Sequence, residues 1–484
     1  MAEIENGKKS TSYEEMKALL SQLNEGVRRG ERWTVEGERS ILAMARSNDP
    51  FYAGQGWQVE QAEWFADLFL RLGFDGRRVH VRFVHYVACG EEPNPATGEK
   101  QQERLPDGGL YENTEENWNF IQGASKHARN MGLVDPRNII DRRTPRPFLN
   151  APEEPPPQPG VDVSEPRIDF PSIDVDDLKP YSSGGSAAPT GYDYGVAFEP
   201  SLVEMWMEKS LDEADDPMIE ELCRHEGVNL ITGIGFMTIS SAYALLERRA
   251  HLDKPLRILY LSDFDPAGKH MPGSPARHIE FALRDLRPEE RPDIRLHHLA
   301  LTEDQVRDLE LPRIPIKDSD RRKARFEAKH GKGASELNAL MHETRRSDTE
   351  EMLRSAITEL RDSALPRKFI STRMEAREIL DEELARRLRW PRRALELIED
   401  EAREVGERYA EELQDLADRL ADEMAPLEGR AERVLHVTRR RLAGFEQQVE
   451  LPEVEGEEPE EVADGWLFDS RRDYLEQLRH YKYR

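Results

Sequence analysis

The sequence predicts an α/β protein with additional helical regions towards both ends of the chain. Three short apolar runs, each typical of a buried strand, alternate with helical segments. They comprise residues 202–207, 228–233 and 257–261. Strands that alternate with helices favour a parallel sheet covered by helices on its faces. In such sheets, ligands bind at the carboxyl ends of the strands.

Acidic residues follow the first and the third of these strands. Glu208 comes directly after the first, and Asp263 and Asp265 come after the third. Residues i and i+2 of an extended segment point to the same side, so the two aspartates are expected to converge while Phe264 turns into the protein. Pro266 suits the first position of a helix. Converging carboxylates repel each other unless a cation lies between them, and Mg²⁺ is the natural ion because it takes oxygen ligands and keeps waters.

The order strand–Glu, helix, strand, helix, strand–DxD resembles the Toprim domain of topoisomerases, bacterial primases and related nucleases. The form DxDPxG, completed here by Pro266 and Gly268, resembles one branch: the A subunit of topoisomerase VI and the meiotic double-strand-break protein. The resemblance implies that Glu208, Asp263 and Asp265 bind Mg²⁺ for phosphodiester chemistry. Without it, a solvated turn is the alternative interpretation of the two aspartates.

That branch attacks DNA with a tyrosine in an N-terminal winged-helix domain, four residues after an arginine. Arg82 and Tyr86 have this spacing in the segment Arg-Phe-Val-His-Tyr. Residues i and i+4 share a face on a helix, and they also share a face on a strand, so in either case the guanidinium is expected near the phenol. The resemblance implies that Tyr86 attacks a backbone phosphate and becomes joined to the 5′ end of the DNA. The alternative for Tyr86 is a half-buried packing aromatic, and His85 is either its base or a polar residue turned away.

Basic residues in three parts of the chain are expected to contact DNA phosphates. They are Lys126, Arg129, Lys209, Arg321, Arg322 and Lys323. The first two lie off the apolar stripe of a predicted helix, and the third completes the Glu-Lys pair that the branch often has. The last three belong to residues 313–332, which contain eight Lys and Arg and three acids and therefore carry a local net charge of +5. A solvated loop and helix face is the alternative for this run.

The overall charge opposes DNA binding, because phosphate contacts require basic surfaces. The chain of 484 residues carries a net charge of −27, with a pI near 5.1. The acids are concentrated, however: residues 446–464 hold nine of them and no Lys or Arg. A globally acidic surface also suits a protein that stays soluble in high salt. DNA contact must therefore come from local basic patches.

The composition also indicates the cellular compartment of the protein. Two cysteines, Cys89 and Cys223, leave no disulfide framework and favour a reducing environment. No apolar run approaches the roughly 20 residues of a membrane span, and the first ten residues are charged, unlike a signal peptide. We therefore expect a soluble cytoplasmic protein that does not contact a membrane.

These landmarks divide the chain into five segments. They are an N-terminal helical region that the resemblance makes winged-helix-like and that carries the tyrosine (1–143), a Pro-rich linker or extended arm (144–194), a Toprim-like metal-binding domain (195–345), a charged helical region (346–448), and an acidic tail with an aromatic C-terminus (449–484). The acidic stretch after Glu446 is expected to be disordered, whereas the aromatic end from Trp466 is expected to dock back onto the protein.

The charged helical region contains a coiled-coil-like pattern. From Leu395 to Met424, apolar residues recur at steps of three and four. Pro391 before this stripe and Pro426 after it are expected to bound the helices. The pattern predicts a helical hairpin that packs on its own domain or on a partner subunit.

The resemblance as a whole implies a type IIB topoisomerase A-like protein that binds and cleaves double-stranded DNA with Mg²⁺. In the family, the tyrosine and the metal site come from different protomers, so a homodimer is implied. The need for a separate ATPase subunit stays open, and the chain itself has no phosphate-binding glycine loop. Two other functions also stay open: a Toprim nuclease that hydrolyses DNA without a covalent intermediate, and a non-catalytic DNA-binding dimer.

Overall fold

The structure is a computed structural model of the chain. It describes residues 51–140, 147–171, 180–208, 217–233, 238–249, 254–269, 271–284, 286, 290–409, 417–457, 465–472, 477 and 480. These residues form two compact units. The first consists of the described parts of 1–151, 201–354 and 462–484, and the second of those of 152–200 and 355–461.

Short strands and helices alternate through much of the described chain. The strands are β1 (Val79–His80), β2 (Ile139–Ile140), β3 (Gly160–Ser164), β4 (Arg167–Asp169), β5 (Tyr181–Ser183), β6 (Ser186–Thr190), β7 (Leu202–Met207), β8 (Asn229–Thr232), β9 (Leu256–Leu261), β10 (Ile294–Ala300) and β11 (Phe468–Asp469). The helices are α1 (Gly56–Arg71), α2 (Val81–Ala88), α3 (Glu115–Asn130), α4 (Met218–His225), α5 (Ile239–Arg249), α6 (Gly273–Ala282), α7 (Glu303–Asp308), α8 (Lys323–His330), α9 (Arg346–Thr358), α10 (Leu365–Tyr409), α11 (Ala417–Leu442) and α12 (Phe445–Gln448). None of the helices in the described residues is both long and apolar enough to cross a membrane.

Four parallel strands form the centre of the first unit, and β11 adds an antiparallel edge. The order across the sheet is β11-β10-β9-β7-β8. Nearly every residue of β7 and β9 is buried, as expected for strands covered on both faces. The chain passes from β7 to β8 on one side and then to β9 on the other, so the winding direction reverses between β7 and β9. The parallel α/β architecture expected from the sequence is confirmed.

The N-terminal helices of the first unit have an apolar core of their own. It is centred on the buried rings of Phe65 and Phe69, and α1, α2 and α3 all contribute to it. The hydroxyl of Ser240 in α5 donates to two main-chain carbonyls, those of Pro136 and Ile139, at 2.9 and 3.0 Å. These hydrogen bonds join the N-terminal region to a helix that covers the sheet.

The proline-rich segment, expected to be a linker or an extended arm, carries strands. β3 pairs with β6 and β4 pairs with β5, both antiparallel. Val161 and Val163 alternate along β3, and together with Ala187 of β6 they pack against Leu380 and Leu384 of α10. Alternation of apolar residues gives these strands one face that can be buried, which outweighs the loss of donors at the prolines.

The predicted helical hairpin is present in the second unit. Its core joins residues of α10 and α11: Leu395, Ile398, Ala402, Val405, Leu420, Met424, Leu427, Ala431 and Val434. The prolines, however, do not bound the helices, because Pro391 lies inside α10 and Pro426 inside α11. A proline inside a helix costs about 3 kcal/mol. Packing of the apolar stripe on both sides of each proline offsets that cost.

The C-terminal segment is more ordered than the acid-rich composition predicts. Leu451 and Val454, which lie between acids, pack beside the core formed by Phe369 and its neighbours. Residues 458–464 lie outside the described residues. The expectation that the aromatic end docks back is confirmed for residues 465–472, where β11 pairs with β10 and Phe468 is buried.

Candidate active site

Glu208 and Asp263 lie next to each other at the carboxyl ends of β7 and β9. The two strands are parallel neighbours, with Met207 opposite Leu261. The main-chain amide of Asp263 donates to Oε2 of Glu208 at 3.4 Å, and the amide of Glu208 donates to the carbonyl of Leu261 at 3.1 Å. Both acids therefore lie where the winding of the sheet reverses, the position at which α/β sheets bind ligands.

The two aspartates of the DxD segment have different surroundings. Asp263 is 8% exposed, and its Oδ1 accepts a hydrogen bond of 2.7 Å from the amide of Leu337. Asp265 is half-buried, and its Oδ1 accepts from the amides of Ala267 and Gly268 at 2.8 and 2.5 Å. One oxygen of each carboxylate is thus held by the main chain, which fixes the position of the other.

The segment after Asp265 is a turn, whereas the sequence predicted that a helix begins at Pro266. The amide of Lys269 donates to the carbonyl of Asp265, which closes one turn, but α6 begins only at Gly273. Pro272 explains the break, because a proline disfavours helical geometry in the residue before it. The expectation of a strand, then the acids, then a helix holds with this turn inserted.

Gly268 allows this turn to form. A Cβ atom at position 268 would lie 2.0 Å from the carbonyl oxygen of Asp263. Real Cβ atoms do not approach a main-chain oxygen so closely, so only glycine fits here without a shift of the Asp263 main chain. The steric requirement of this turn therefore explains the glycine of the DxDPxG pattern.

Phe264, between the two aspartates, turns into the protein as the alternation predicts. It is 2% exposed and pairs through its main chain with Ser335, with N···O distances of 2.9 and 3.0 Å. Its ring lies 5.3 Å from that of Phe326 and 5.5 Å from that of His330. The guanidinium of Arg313 lies 5.2 Å above it.

These contacts attach the basic run to the acidic strand ends. We call residues 313–332 the basic loop. An antiparallel bridge joins Ile314, near its start, to Ala334, two residues beyond its end. Its centre includes α8, whose Phe326 and His330 rest on Phe264. Sequence reasoning missed this attachment, although the four-residue spacing of Phe326 and His330 within a basic helix was a signal for it.

Arg321, Arg322 and Lys323 differ in how their charges are used. Arg322 lies 3.1 Å from Asp320, and Lys323 lies 2.6 Å from Asp318. Arg321 is exposed and has no ion pair with another described residue. The pKa of Arg322 is raised, mainly by its hydrogen bond to Asp320 and further by the charge of Asp265. The basic loop is therefore within electrostatic reach of the DxD acids.

Arg82 and Tyr86 lie one turn apart on α2. The helix is capped by His80, whose side chain accepts from the amide of Arg82. Arg82 is exposed, with its guanidinium 4.8 Å above the ring of Trp118. Tyr86 is half-buried, and its hydroxyl makes no hydrogen bond to another described residue. Its ring lies 5.7 Å from that of His85, but its hydroxyl is not held by a hydrogen bond of the kind that buried tyrosines usually make.

His85 is a structural residue rather than a base for Tyr86. Its ring nitrogens lie 2.8 Å from the hydroxyl of Tyr111 and 3.0 Å from Oδ1 of Asn113. Consecutive residues of a helix point in different directions, so His85 is buried while Tyr86 reaches the surface. Burial raises the pKa of Tyr111, whose hydroxyl also donates to the carbonyl of Asn117 at 2.8 Å.

The other expected DNA contacts lie on α3. Lys126 is exposed, and Nε of Arg129 donates to the carbonyl of Ser125 at 3.1 Å. Both cations act on His278 of α6, whose pKa is lowered to about 4, mainly by burial and further by these charges. The basic face of α3 is therefore close to the helix that follows the DxD turn. Lys209 lies outside the described residues.

The acids fit Mg²⁺ in donor type, but the structure does not bring all three of them together as a metal-binding group. Among the side chains that the structure describes, no group of three or more His, Cys, Asp and Glu is arranged to hold a metal. Mg²⁺ is commonly bound through one or two carboxylates, with waters and substrate phosphates completing its shell. Glu208 and Asp263 at adjacent strand ends, with Asp265 two residues on, supply carboxylates of that kind. The resemblance assigns the ion to these three residues, and the contact between Glu208 and Asp263 is the part of that set that the structure brings together.

Comparison with protein-family models finds no match for this chain, and comparison with curated proteins finds no matching relative. The function is therefore argued from the site alone. Three features carry it: acids at two neighbouring strand ends, a basic loop attached beside them, and a helix of the same unit with a tyrosine whose hydroxyl bonds to no other described residue.

Proposed function

We propose that this protein binds double-stranded DNA and cleaves it in a Mg²⁺-dependent reaction, as a topoisomerase VI A-like enzyme with a Toprim-like sheet and a winged-helix-like N-terminal region. One observation carries the proposal. Glu208 and Asp263 meet at the switch point of the sheet, and Phe264 fixes a basic loop beside them. Carboxylates for a divalent ion next to cations for phosphates form the pair of surfaces that phosphodiester chemistry needs.

In the proposed reaction, the phenolic oxygen of Tyr86 attacks a backbone phosphorus. A bond forms between this oxygen and phosphorus, the bond from phosphorus to the 3′ oxygen breaks, the phenolic proton passes to solvent, and the leaving 3′ oxygen takes up a proton. Free phenols, with a pKa of ~10, are weak nucleophiles at neutral pH, so the attack requires positive charge nearby. Arg82, one turn away, supplies that charge. Mg²⁺ bound to Glu208, Asp263 and Asp265 would neutralise charge on the phosphate and on the leaving oxygen.

The proposal includes a homodimer in which each protomer cuts one strand. No hydrogen bond or ring contact links Tyr86 with the strand-end acids within the described chain. A tyrosine from one protomer that acts with the acids of another would satisfy this arrangement. The hairpin of α10 and α11 is a candidate surface for assembly. The proposal leaves open whether a separate ATPase subunit takes part. The two cysteines form no disulfide, which suits the reducing environment of the cytoplasm.

The test uses supercoiled DNA and Mg²⁺, followed by denaturation with detergent. The proposal expects linear DNA with protein covalently attached to its 5′ ends. Breaks that require Mg²⁺ but carry no protein would refute the tyrosine step. Absence of Mg²⁺-dependent breaks, with DNA binding intact, would leave a DNA-binding protein without cleavage activity.

A hydrolytic Toprim nuclease is the second candidate. It is favoured by the position of the acids and the basic loop, which lie together in one chain without any requirement for Tyr86. In this reaction, water attacks the phosphorus, and the products are free ends. The two candidates differ in a single observable, the covalent adduct.

A further inference from the structure

Lys269, four residues after Asp265, is linked to the basic loop through a histidine. Its Nζ lies 2.8 Å from Nε2 of His330, and Nδ1 of His330 lies 2.7 Å from Oε2 of Glu303. The side chain of His330 is 3% exposed. The three side chains come from the DxD turn, the end of α8 and the first turn of α7, so the contacts converge from three separate elements.

The protonation states follow from the partners. The pKa of His330 is lowered, mainly by burial and further by the charge of Lys269. A neutral ring has one donor and one acceptor nitrogen. Nδ1–H therefore donates to the Glu303 carboxylate, and Nε2 accepts from the Lys269 ammonium. The histidine is thus held in one tautomer by its two neighbours.

The Lys269 ammonium consequently has no carboxylate in contact. Among the described residues, no acidic oxygen lies within ion-pair distance of its Nζ, and its hydrogen bond goes to a neutral ring. An ammonium has three donor hydrogens, so two remain for another acceptor. The charge of Glu303 acts on the ammonium and raises its pKa in part, but Glu303 contacts His330 instead. An anion that binds directly to this half-buried ammonium gains more than it would at an exposed lysine.

The surroundings select an anion rather than a second cation. Lys329 adds positive charge and, after burial, is the second cause that lowers the pKa of Lys269. Arg313 lies over the Phe264 ring at 5.2 Å, and the Lys269 ammonium lies 5.9 Å from the same ring. The cations gather around the residue that separates the two aspartates, so an anion bound by Lys269 would lie beside the acidic strand ends.

We infer that Lys269 binds a phosphodiester group of the DNA backbone, with His330 and Glu303 as positioning residues that hold its ammonium in place. This assignment rests on the proposed function. It adds a phosphate subsite to the DxD turn, separate from the exposed cations of the basic loop. The alternative is that the three side chains only fasten α8 to the turn. Such a fastening role requires the contact between Lys269 and His330, but it does not require the positive charge of Lys269.

The experiment measures binding of a short fluorescein-labelled DNA duplex by anisotropy, with a chelator present, over a range of salt concentrations. Lys269→Met should weaken binding and make the slope of log affinity against log salt shallower by ~0.9, the loss of one phosphate contact. Lys269→Arg should keep the wild-type slope, because it retains the charge. Lys100→Met, which removes an exposed lysine on the N-terminal region, is the matched control.

Each outcome decides between the two proposals. If the wild-type protein does not bind the duplex, the proposed function fails and the phosphate subsite fails with it. If the wild-type protein binds and Lys269→Met keeps the wild-type salt slope, the subsite alone is refuted. The same holds if Lys269→Arg loses as much DNA affinity as Lys269→Met. Lys269→Gln replaces Lys269→Met if the latter does not fold, as judged by circular dichroism.

Discussion

The amide of Asp263 and the carboxylate of Glu208 lie 3.4 Å apart, although 55 positions separate the two residues in the chain. The contact exists because β7 and β9 are parallel neighbours whose ends coincide. It places two acids at one point of the sheet edge. In the proposed function, these two acids act together with the basic loop and with Tyr86.

Conservative replacement of either acid should remove Mg²⁺ binding and Mg²⁺-dependent cleavage. Asp263→Asn keeps an oxygen that accepts from the amide of Leu337, and Glu208→Gln keeps one for the amide of Asp263. Both variants should therefore fold. Calorimetry with Mg²⁺ should show a loss greater than the 10- to 100-fold that removal of an outer-shell partner typically costs. Glu343→Gln, an exposed acid of the same unit, is the control, and unchanged metal affinity in either site variant would refute the metal assignment.

Tyr86→Phe should abolish cleavage and leave stability, DNA affinity and the salt slope of binding nearly unchanged. The variant removes a hydroxyl that has no hydrogen bond to another described residue, and it removes no charge. A packing tyrosine would give the opposite result, a silent change in activity. The measurement compares cleavage of supercoiled DNA with equilibrium binding of a duplex by the same preparation.

Two further tyrosines serve as controls for that experiment. Tyr181→Phe alters a tyrosine that is 56% exposed in the second unit and should change neither activity nor stability. Tyr111→Phe removes the hydroxyl that contacts His85, so it should lower the free energy of unfolding by about 1–3 kcal/mol through an unsatisfied buried partner. If Tyr111→Phe eliminated cleavage at full stability while Tyr86→Phe retained it, the nucleophile would have been misassigned.

Gly268→Ala should disturb the DxD turn. Its Cβ would meet the carbonyl oxygen of Asp263 at 2.0 Å, so the main chain of the acid must shift. The free energy of unfolding should fall by about 1–3 kcal/mol, as for overpacking elsewhere, and Mg²⁺ affinity should fall with it. Gly273→Ala is the matched control, because no atom lies within 4 Å of a Cβ there. Equal behaviour of the two variants in denaturant unfolding would contradict the steric account.

Removal of charge from the basic loop should affect DNA binding unequally. Arg321→Gln removes a cation without an ion pair in the described structure, so the salt slope should become shallower by about one phosphate contact, ~0.9. Lys323→Gln also removes a partner of Asp318, at 2.6 Å, and should change the slope less because that charge is already partly compensated. A larger effect of Lys323→Gln than of Arg321→Gln would contradict this order.

Much of the sheet could be predicted from the sequence, because the apolar runs and the acids after them depend on local pattern. The same holds for the burial of Phe264, which alternation dictates, and for the helical hairpin, which a long apolar stripe dictates. The four-residue spacing of Arg82 and Tyr86 indicated a shared face but did not distinguish a helix from a strand, and the structure places both residues on a helix. These features require information from a few neighbouring residues only.

The remaining features depend on contacts between distant parts of the chain. The pairing of Phe264 with Ser335 and the contact of Lys269 with His330 join residues more than 60 positions apart, for which the sequence has no periodic signal. The strands in the Pro-rich segment were missed because its proline content was interpreted as typical of a linker or an extended arm. Pro391 and Pro426 were taken as helix ends because local rules ignore the packing that keeps a helix continuous across a proline.

The most direct measurement identifies the amino-acid residue to which the DNA becomes covalently attached. Cleavage reactions with Mg²⁺ are stopped with detergent, the complex is digested with nuclease and protease, and the peptides are identified by mass spectrometry. We predict a nucleotide joined through a phosphate to the peptide that contains Tyr86, and no such peptide from Tyr86→Phe, Asp263→Asn or reactions with chelator. Wild-type protein that cleaves DNA but yields only unmodified Tyr86 peptide would contradict the account.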